Sequence, residues 1–162
     1  MNFMTARSSI TLREVRSDDD QFLLDVYEST RADEMALLPW TDEQRKEFLR
    51  FQFTAQNSYY RKEFPEASYS LILNNEKRVG RIYVLRREAI RILDITLLPK
   101  HRGQGIGTLL LRELLSEAKT SGKTVQTYVE TFNRSLSLFE RLGFSKVGED
   151  GVNFLLQWSP PD

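Results

Sequence analysis

The chemistry-bearing part of this sequence is a glycine-rich turn between an apolar strand pattern and an amphipathic helix pattern, within residues 92–111. Gly103, Gly105 and Gly107 stand at alternate positions, whereas an ordinary tight turn uses one glycine. We expect the three glycines to take positive φ and to let the backbone approach a ligand without a Cβ clash. The N–H groups that open the following helix lack internal partners and carry partial positive charge, and Arg102 adds a cation beside them. The pattern therefore predicts an anion site suited to a phosphate group.

The spacing argues against two common phosphate-binding motifs. A P-loop needs Gly-Lys-Ser/Thr at the end of its turn, but Thr108 and Leu109 follow Gly107. A dinucleotide site needs Gly-x-Gly-x-x-Gly in the first βα unit, with an acidic residue about 20 positions later. Here the third glycine comes one residue early, and Glu130 is the first acidic residue of the next strand pattern. ATP or GTP binding by a P-loop is therefore excluded, and NAD is disfavoured.

The same turn carries a resemblance to a known family. Residues 97–107 read Leu-Leu-Pro-Lys-His-Arg-Gly-Gln-Gly-Ile-Gly. They resemble motif A of the GNAT superfamily of acetyl-CoA-dependent N-acetyltransferases, which is Arg/Gln-x-x-Gly-x-Gly/Ala after a strand that ends in Val/Leu-x-Pro. Residues 133–144, Asn-Arg-Ser-Leu-Ser-Leu-Phe-Glu-Arg-Leu-Gly-Phe, are similar to a second GNAT run downstream. The resemblance covers residues 65–158 well and the amino-terminal part only in outline.

This resemblance implies a binding site for acetyl-CoA made largely of main-chain groups. In GNAT proteins the strand before the turn and the next strand splay apart, and the pantetheine arm lies in the gap. Carried over, the main chain of residues 95–97 bonds that arm and the amides of residues 103–108 hold the pyrophosphate. The implied cofactor-binding residues are Ile95, Thr96, Leu97, Arg102, Gly103, Gln104, Gly105, Ile106, Gly107, Thr108, Asn133 and Phe139.

The expected catalytic residues are Leu97 and Asp94. The Leu97 amide would face the thioester oxygen, where a preorganised N–H stabilises developing negative charge. Acetyl transfer to an amine also needs a group that accepts a proton, directly or through water. Asp94 is our first candidate because it interrupts an otherwise apolar strand, three residues before Leu97, where many GNAT sequences carry a carboxylate. A structural Asp is equally compatible with the pattern, and Glu130 and Tyr128 are the reserve candidates.

Phe139 departs from the family pattern. Many GNAT enzymes have Tyr there, whose hydroxyl protonates the departing thiolate of CoA, and Phe has no proton to give. Water or Tyr128 could replace it, or the protein binds acyl-CoA as a sensor without fast turnover. Asn133 can contact CoA, cap the following helix, or do both. His101, the single histidine, is expected at the rim of the pyrophosphate site and cannot build a metal site alone.

Composition limits the possible partners. The 162 residues include 23 basic and 23 acidic side chains, so no excess charge favours nucleic acid or an anionic membrane. There is no cysteine, which excludes disulfides and a Cys acyl-enzyme. Residues 1–9 show no signal-like apolar stretch, and no run approaches a membrane span, so we expect a cytoplasmic protein. The partners implied are acetyl-CoA without a metal and a small-molecule or peptide amine, with a homodimer left open.

Hydrophobic periodicity predicts one domain over residues 1–162 with the element order β-α-α-β-β-β-α-β-α-β-β. This order indicates an α/β (α+β) fold, and the resemblance makes it GNAT-like, a mixed, mostly antiparallel seven-stranded sheet with helices on both faces. Ser17 is expected to cap the first helix, with Phe22, Leu23, Val26 and Tyr27 buried. Thr41 and Gln44 are expected to form a capping box for the second helix, with Phe48, Phe51, Ala55 and Tyr59 on its inner face. Further helices are predicted over residues 106–121 and 134–142, and residues 90–98 are expected to form a central strand. A different nucleotide-binding α/β protein is the third alternative, beside the enzyme and the sensor.

Overall fold

The computed structural model describes residues 9–162. The expectation that residues 1–9 contain no secretory signal therefore lies almost entirely outside the described residues. Seven strands and four helices follow in the predicted order within the described residues. The strands are β1 Ile10–Glu14, β2 Ser68–Asn74, β3 Lys77–Arg86, β4 Ile90–Leu97, β5 Val125–Glu130, β6 Ser145–Glu149 and β7 Asn153–Trp158. The helices are α1 Asp20–Ala36, α2 Asp42–Glu63, α3 Ile106–Ser121 and α4 Leu136–Arg141. Among these helices, none combines the length and apolar character needed to span a bilayer.

The strands form one seven-stranded sheet in the order β1-β2-β3-β4-β5-β7-β6. β4 and β5 are parallel, while β1 with β2, β5 with β7, and β6 with β7 are antiparallel. The parallel pair requires a long crossover, which α3 supplies. The mixed, mostly antiparallel sheet predicted from the sequence is therefore confirmed.

The chain divides into two compact units, and the boundary falls inside β3 and β4. The first unit comprises residues 9–81 with Thr96–His101, and the second comprises Ile82–Ile95 with Arg102–Asp162. The core of the first unit is built mainly from α1, as predicted, with additions from α2 and β2. Its fully packed residues are Phe22, Leu23, Leu24, Val26, Tyr27, Met35, Leu49, Phe53 and Leu71. A single domain over the whole chain stays a prediction.

The side chain that accepts hydrogen bonds at the start of α1 is Asp19 and not Ser17. The predicted Ser17 cap is therefore wrong. Asp19 is buried and its carboxylate accepts hydrogen bonds from the Arg16 N–H at 2.7 Å and from both Nη atoms of Arg13 at 3.0 and 3.1 Å. Arg78 adds a further bond at 3.2 Å. These donors, with Arg13 contributing most, lower the pKa of Asp19 to about 2 against burial, which opposes them.

Replacing Asp19 with Asn is expected to destabilise the fold at neutral pH and to flatten its acid dependence. Because the pKa is about 2 when folded and 3.8 otherwise, the ionised carboxylate contributes stability above pH 3.8 that is lost as the pH falls toward 2. That contribution is about 2 kcal/mol. Urea unfolding between neutral and acid pH measures it, with Asp18→Asn as the exposed control that removes the same charge. Equal losses in both variants would contradict this assignment.

Helix α2 begins at the predicted capping box, in which Thr41 Oγ1 accepts from the Gln44 N–H at 3.1 Å and Gln44 Oε1 accepts from the Thr41 N–H at 2.9 Å. Its predicted inner face is wrong. Leu49 and Phe53, one turn apart, are the buried residues of the helix. Phe51 lies two positions from each, hence on the opposite side, and is 72% exposed. Ala55 and Tyr59 are exposed with it, and only Phe48 of the predicted face is half-buried.

The second unit contains the helix that the glycine-rich turn opens. α3 has the predicted bounds and buries Ile106, Leu110, Leu111, Leu114 and Ala118. It ends at Gly122, whose φ of 69° is left-handed, as expected for a C-terminal glycine. The predicted helix over residues 134–142 is shorter in the structure, where it forms the six-residue α4.

Candidate functional site

The glycine-rich turn leads into the amino-terminal end of α3 through two glycines, and this helix end has no side-chain cap. Gly103 and Gly105 have φ of 74° and 86°, which an L side chain rarely adopts. Gly105 is the N-cap of α3 and, having no side chain, provides no side-chain cap for the first N–H groups of the helix. A Cβ built on either glycine would meet no other atom within 4 Å. The structure therefore has open space in front of the helix end, where an anion would bind.

Gly107 differs from the other two glycines. It lies within α3 and its φ is not positive, so the expectation that all three glycines take positive φ is wrong for this one. A Cβ at residue 107 would lie 3.7 Å from Leu138 Cδ2, which is an ordinary contact. The backbone thus needs glycine at two of the three positions, while residue 107 has room for alanine.

The other predicted side chains of the turn differ in exposure. Arg102 and Thr108 are half-buried, Gln104 is exposed, and Ile106 is buried, which anchors the first turn of α3. His101 is half-buried, and its Nε2 is a buried atom that has no hydrogen-bond partner among the described residues. Burial, followed by the charges of Lys100 and Lys77, lowers the pKa of His101 and so favours its neutral form.

β4 and β5 separate along their length. Their pairing covers Ile90 to Ile92 against Val125 to Thr127, and the last pair is fixed by the Thr127 hydroxyl, which donates to the Ile92 carbonyl at 3.1 Å. β5 then continues its pairing with β7 as far as Glu130. β4 also runs on beyond Ile92. The register between the two strands thus ends before either strand does, as the predicted gap requires.

Gly80 lies against residues 96 and 97 of the candidate site, and the sequence did not single it out. A Cβ on Gly80 would collide with the Thr96 carbonyl oxygen and lie 3.0 Å from the Leu97 Cα. The Leu98 N–H also donates to the Val79 carbonyl at 2.9 Å, so β3 holds the end of β4 closely at this point. A glycine inside a strand signals such a close backbone approach, and that signal was available in the sequence.

The three candidate proton acceptors do not share one face of the sheet. In the parallel register, Ile90 and Ile92 share a face with Val125 and Thr127, and strand alternation puts Asp94 on that face. Tyr128 and Glu130 alternate onto the other face, where the Arg91 guanidinium lies 5.0 Å from the centre of the Tyr128 ring. The structure therefore brings Tyr128 and Glu130 together and separates both from Asp94.

Comparison with known proteins identifies the family. The acetyltransferase (GNAT) family matches residues 23–144, about three quarters of the chain. The chain belongs to the GNAT family of acetyltransferases. The match includes the glycine-rich turn and ends on the last residue of the second motif, Phe144. No curated protein sequence matches this one.

Solved structures share the fold at low sequence identity. The PaiA N-acetyltransferase of Thermoplasma acidophilum, in complex with coenzyme A, is 21% identical with a TM-score of 0.70 over 93% of this chain and 99% of that one. Naa50 of Arabidopsis thaliana, in complex with the bisubstrate analogue CoA-Ac-MVNAL, is 20% identical with a TM-score of 0.60 over 93% and 99%. A spermidine N-acetyltransferase chimera of Vibrio cholerae SpeG and hSSAT is 17% identical with a TM-score of 0.62 over 93% and 95%. At these identities the likeness shows the fold.

The second GNAT motif has a structural role for each predicted residue. Asn133 is exposed, and its Oδ1 accepts from the Ser135 N–H at 2.8 Å and from the Ser135 hydroxyl at 2.7 Å, so it caps the approach to α4. Phe139 is 2% exposed and packs edge-on against Phe144, with 5.1 Å between ring centres. Within residues 9–162, no group of three or more His, Asp and Glu side chains is arranged to hold a metal ion.

Proposed function

We propose that this GNAT protein is an N-acetyltransferase that transfers the acetyl group of acetyl-CoA to a primary amine by direct attack in a ternary complex. The observation that carries the proposal is the uncapped amino-terminal end of α3 behind Gly103 and Gly105, with open space at both glycines. Main-chain N–H groups with the partial positive charge of a 16-residue helix suit the pyrophosphate of CoA.

The residues present fit acetyl-CoA, and we assign its parts to them. The amides of residues 103–108 hold the pyrophosphate with Arg102 beside it, while the main chain of residues 95–97 bonds the pantetheine arm. The early end of the β4–β5 register supports the second assignment, because the pantetheine arm of GNAT proteins lies in a gap between these two strands. When bound, acetyl-CoA supplies an activated acyl group as a thioester.

Direct transfer is supported by the chemistry that the chain has available. The sequence holds no cysteine, which excludes a Cys acyl-enzyme and is consistent with our proposal that the amine itself attacks the thioester. We assign proton acceptance to Asp94, which is half-buried on β4, and stabilisation of charge on the thioester oxygen to the Leu97 N–H. Solved GNAT relatives include one bound to a peptide-based bisubstrate analogue and one named for spermidine, so the acceptor class proposed is a primary amine.

Thermal unfolding and thiol release together test the proposal. A ligand bound only by the native state stabilises it by about 2.7 kcal/mol at roughly 100 times its Kd, so acetyl-CoA and CoA should both raise Tm while NAD and ATP should not. Release of the CoA thiol is then followed across peptide, polyamine and amino-acid acceptors. Stabilisation without thiol release from any amine supports the acyl-CoA sensor, which the absence of a hydroxyl at Phe139 favours. No shift with either CoA species excludes both.

Phe139→Tyr is expected to raise kcat by up to about 10²-fold with little change in KM for acetyl-CoA. The change restores a proton donor where the family carries tyrosine, and an interaction gained only in the transition state raises kcat. Phe144→Tyr is the matched control, since Phe144 is an equally buried ring in contact with Phe139. Steady-state thiol release measures both variants. An unchanged kcat in Phe139→Tyr shows that thiolate protonation does not limit turnover.

A further inference from the structure

We propose that two copies of this chain dimerise through the outer face of α2, which we call the Phe51 face. It consists of exposed residues along 22 residues of helix, about 33 Å in length. Phe51 lies at its centre and is 72% exposed, opposite the buried Leu49 and Phe53. Burial of this ring in a contact between copies would remove a large apolar surface from water.

The centre of the Phe51 face is shaped for its own copy. The next outward-facing residues along the helix, Thr54, Ala55 and Ser58, are small and exposed, so the helix surface beside Phe51 carries less side-chain bulk, which we call the hollow. When two copies of α2 lie antiparallel about a two-fold axis between Thr54 and Ala55, Phe51 of each copy meets this hollow on the other. The contact is isologous, as in most homodimers, because both copies use the same surface. The assembly therefore stops at two copies.

Charge selects both the partner and the orientation. Glu47 and Lys62 are exposed near opposite ends of the face. In the antiparallel arrangement Glu47 of one copy lies opposite Lys62 of the other, and this pair forms twice. A parallel arrangement would instead put Glu47 against Glu47 and Lys62 against Lys62, which is repulsive. The face is therefore complementary to itself in one direction.

Sedimentation of the full chain tests the proposed dimer. Phe51→Glu should weaken dimerisation at least about a hundredfold, because each dimer loses two aromatic anchors and gains two buried charges. Phe132→Glu is the matched control, since Phe132 is 74% exposed and lies outside α2, and it should sediment like the parent. A parent chain that stays monomeric at high concentration overturns the proposal, as does a dimer that survives Phe51→Glu.

Charge exchange tests the direction of pairing. Glu47→Lys and Lys62→Glu should each raise the Kd of the dimer about tenfold or more, and the double variant should restore it, because the exchanged pair still forms across the two-fold axis. Failure of the double variant to recover contradicts the antiparallel arrangement.

A single cysteine provides an independent readout, because the native sequence has none. Packed helices lie about 8–10 Å apart, and each Cα lies about 2.3 Å from its axis, so facing Cα atoms are about 3–5 Å apart. That separation is near the range of a disulfide. Ala55→Cys should therefore oxidise to a covalent dimer with an added copper–phenanthroline oxidant, and Phe132→Cys should not. A monomeric Ala55→Cys product after oxidation overturns the proposal.

Discussion

Replacing Gly105 with valine is expected to abolish the stabilisation by acetyl-CoA while the fold is kept. Residue 105 has φ of 86°, where a β-branched residue is strained by about 1–2 kcal/mol. The added side chain also enters the open space in front of the α3 amino terminus, where the pyrophosphate is proposed to bind. The measurement is the change in Tm on addition of acetyl-CoA, which should fall from several degrees to none.

Two matched variants separate the loss of the site from the strain. Gly122 at the other end of α3 has φ of 69° and also has open space at its Cβ position, so Gly122→Val carries the same backbone strain. That variant should lose stability but keep the full response to acetyl-CoA. Gly107→Ala should gain up to about 1 kcal/mol, because alanine is favoured over glycine within a helix, and should also keep the response. A normal response in Gly105→Val would place the phosphate site elsewhere.

The residues that the sequence predicted best are those controlled by local backbone chemistry. The bounds of α3 follow from Gly105 and Gly122, which set its two ends, and from a regular apolar stripe between them. The capping box at Thr41 is equally local. The central position of β4 could be predicted because a strand that is apolar on both faces belongs at the centre of a sheet.

The predictions that failed depend on contacts distant in sequence. For Asp19 the distant contact is one hydrogen bond from Arg78, 59 residues away, which adds to the nearer donors Arg13 and Arg16. The aromatic residues of α2 offered two possible inner faces. The structure uses the one with Leu49 and Phe53, because these pack against α1 and β2 within the first unit. Periodicity alone does not distinguish a core stripe from an exposed one of the same composition.

The sequence alone could not show which face of the sheet each candidate proton acceptor occupies. Asp94, Tyr128 and Glu130 all lie near the ends of neighbouring strands. The structure separates them by face, with Asp94 on the side of Ile92 and the other two on the side of Arg91. An amine that attacks the thioester approaches from one side, so the identity of the acceptor residue also reports the side on which the substrate enters.

Asp94→Asn is therefore expected to lower kcat by about 10²–10⁴-fold with the Kd for acetyl-CoA unchanged, because the amide keeps the shape of the carboxylate but cannot accept the proton. Glu130→Gln and Tyr128→Phe are the isosteric controls on the opposite face and should retain kcat within a few-fold of the parent. Thiol release gives kcat, and the Tm response to acetyl-CoA reports binding separately. If Asp94→Asn turns over normally while Glu130→Gln does not, the proton acceptor and the amine are both on the Tyr128 face, and Asp94 has only a structural role in β4.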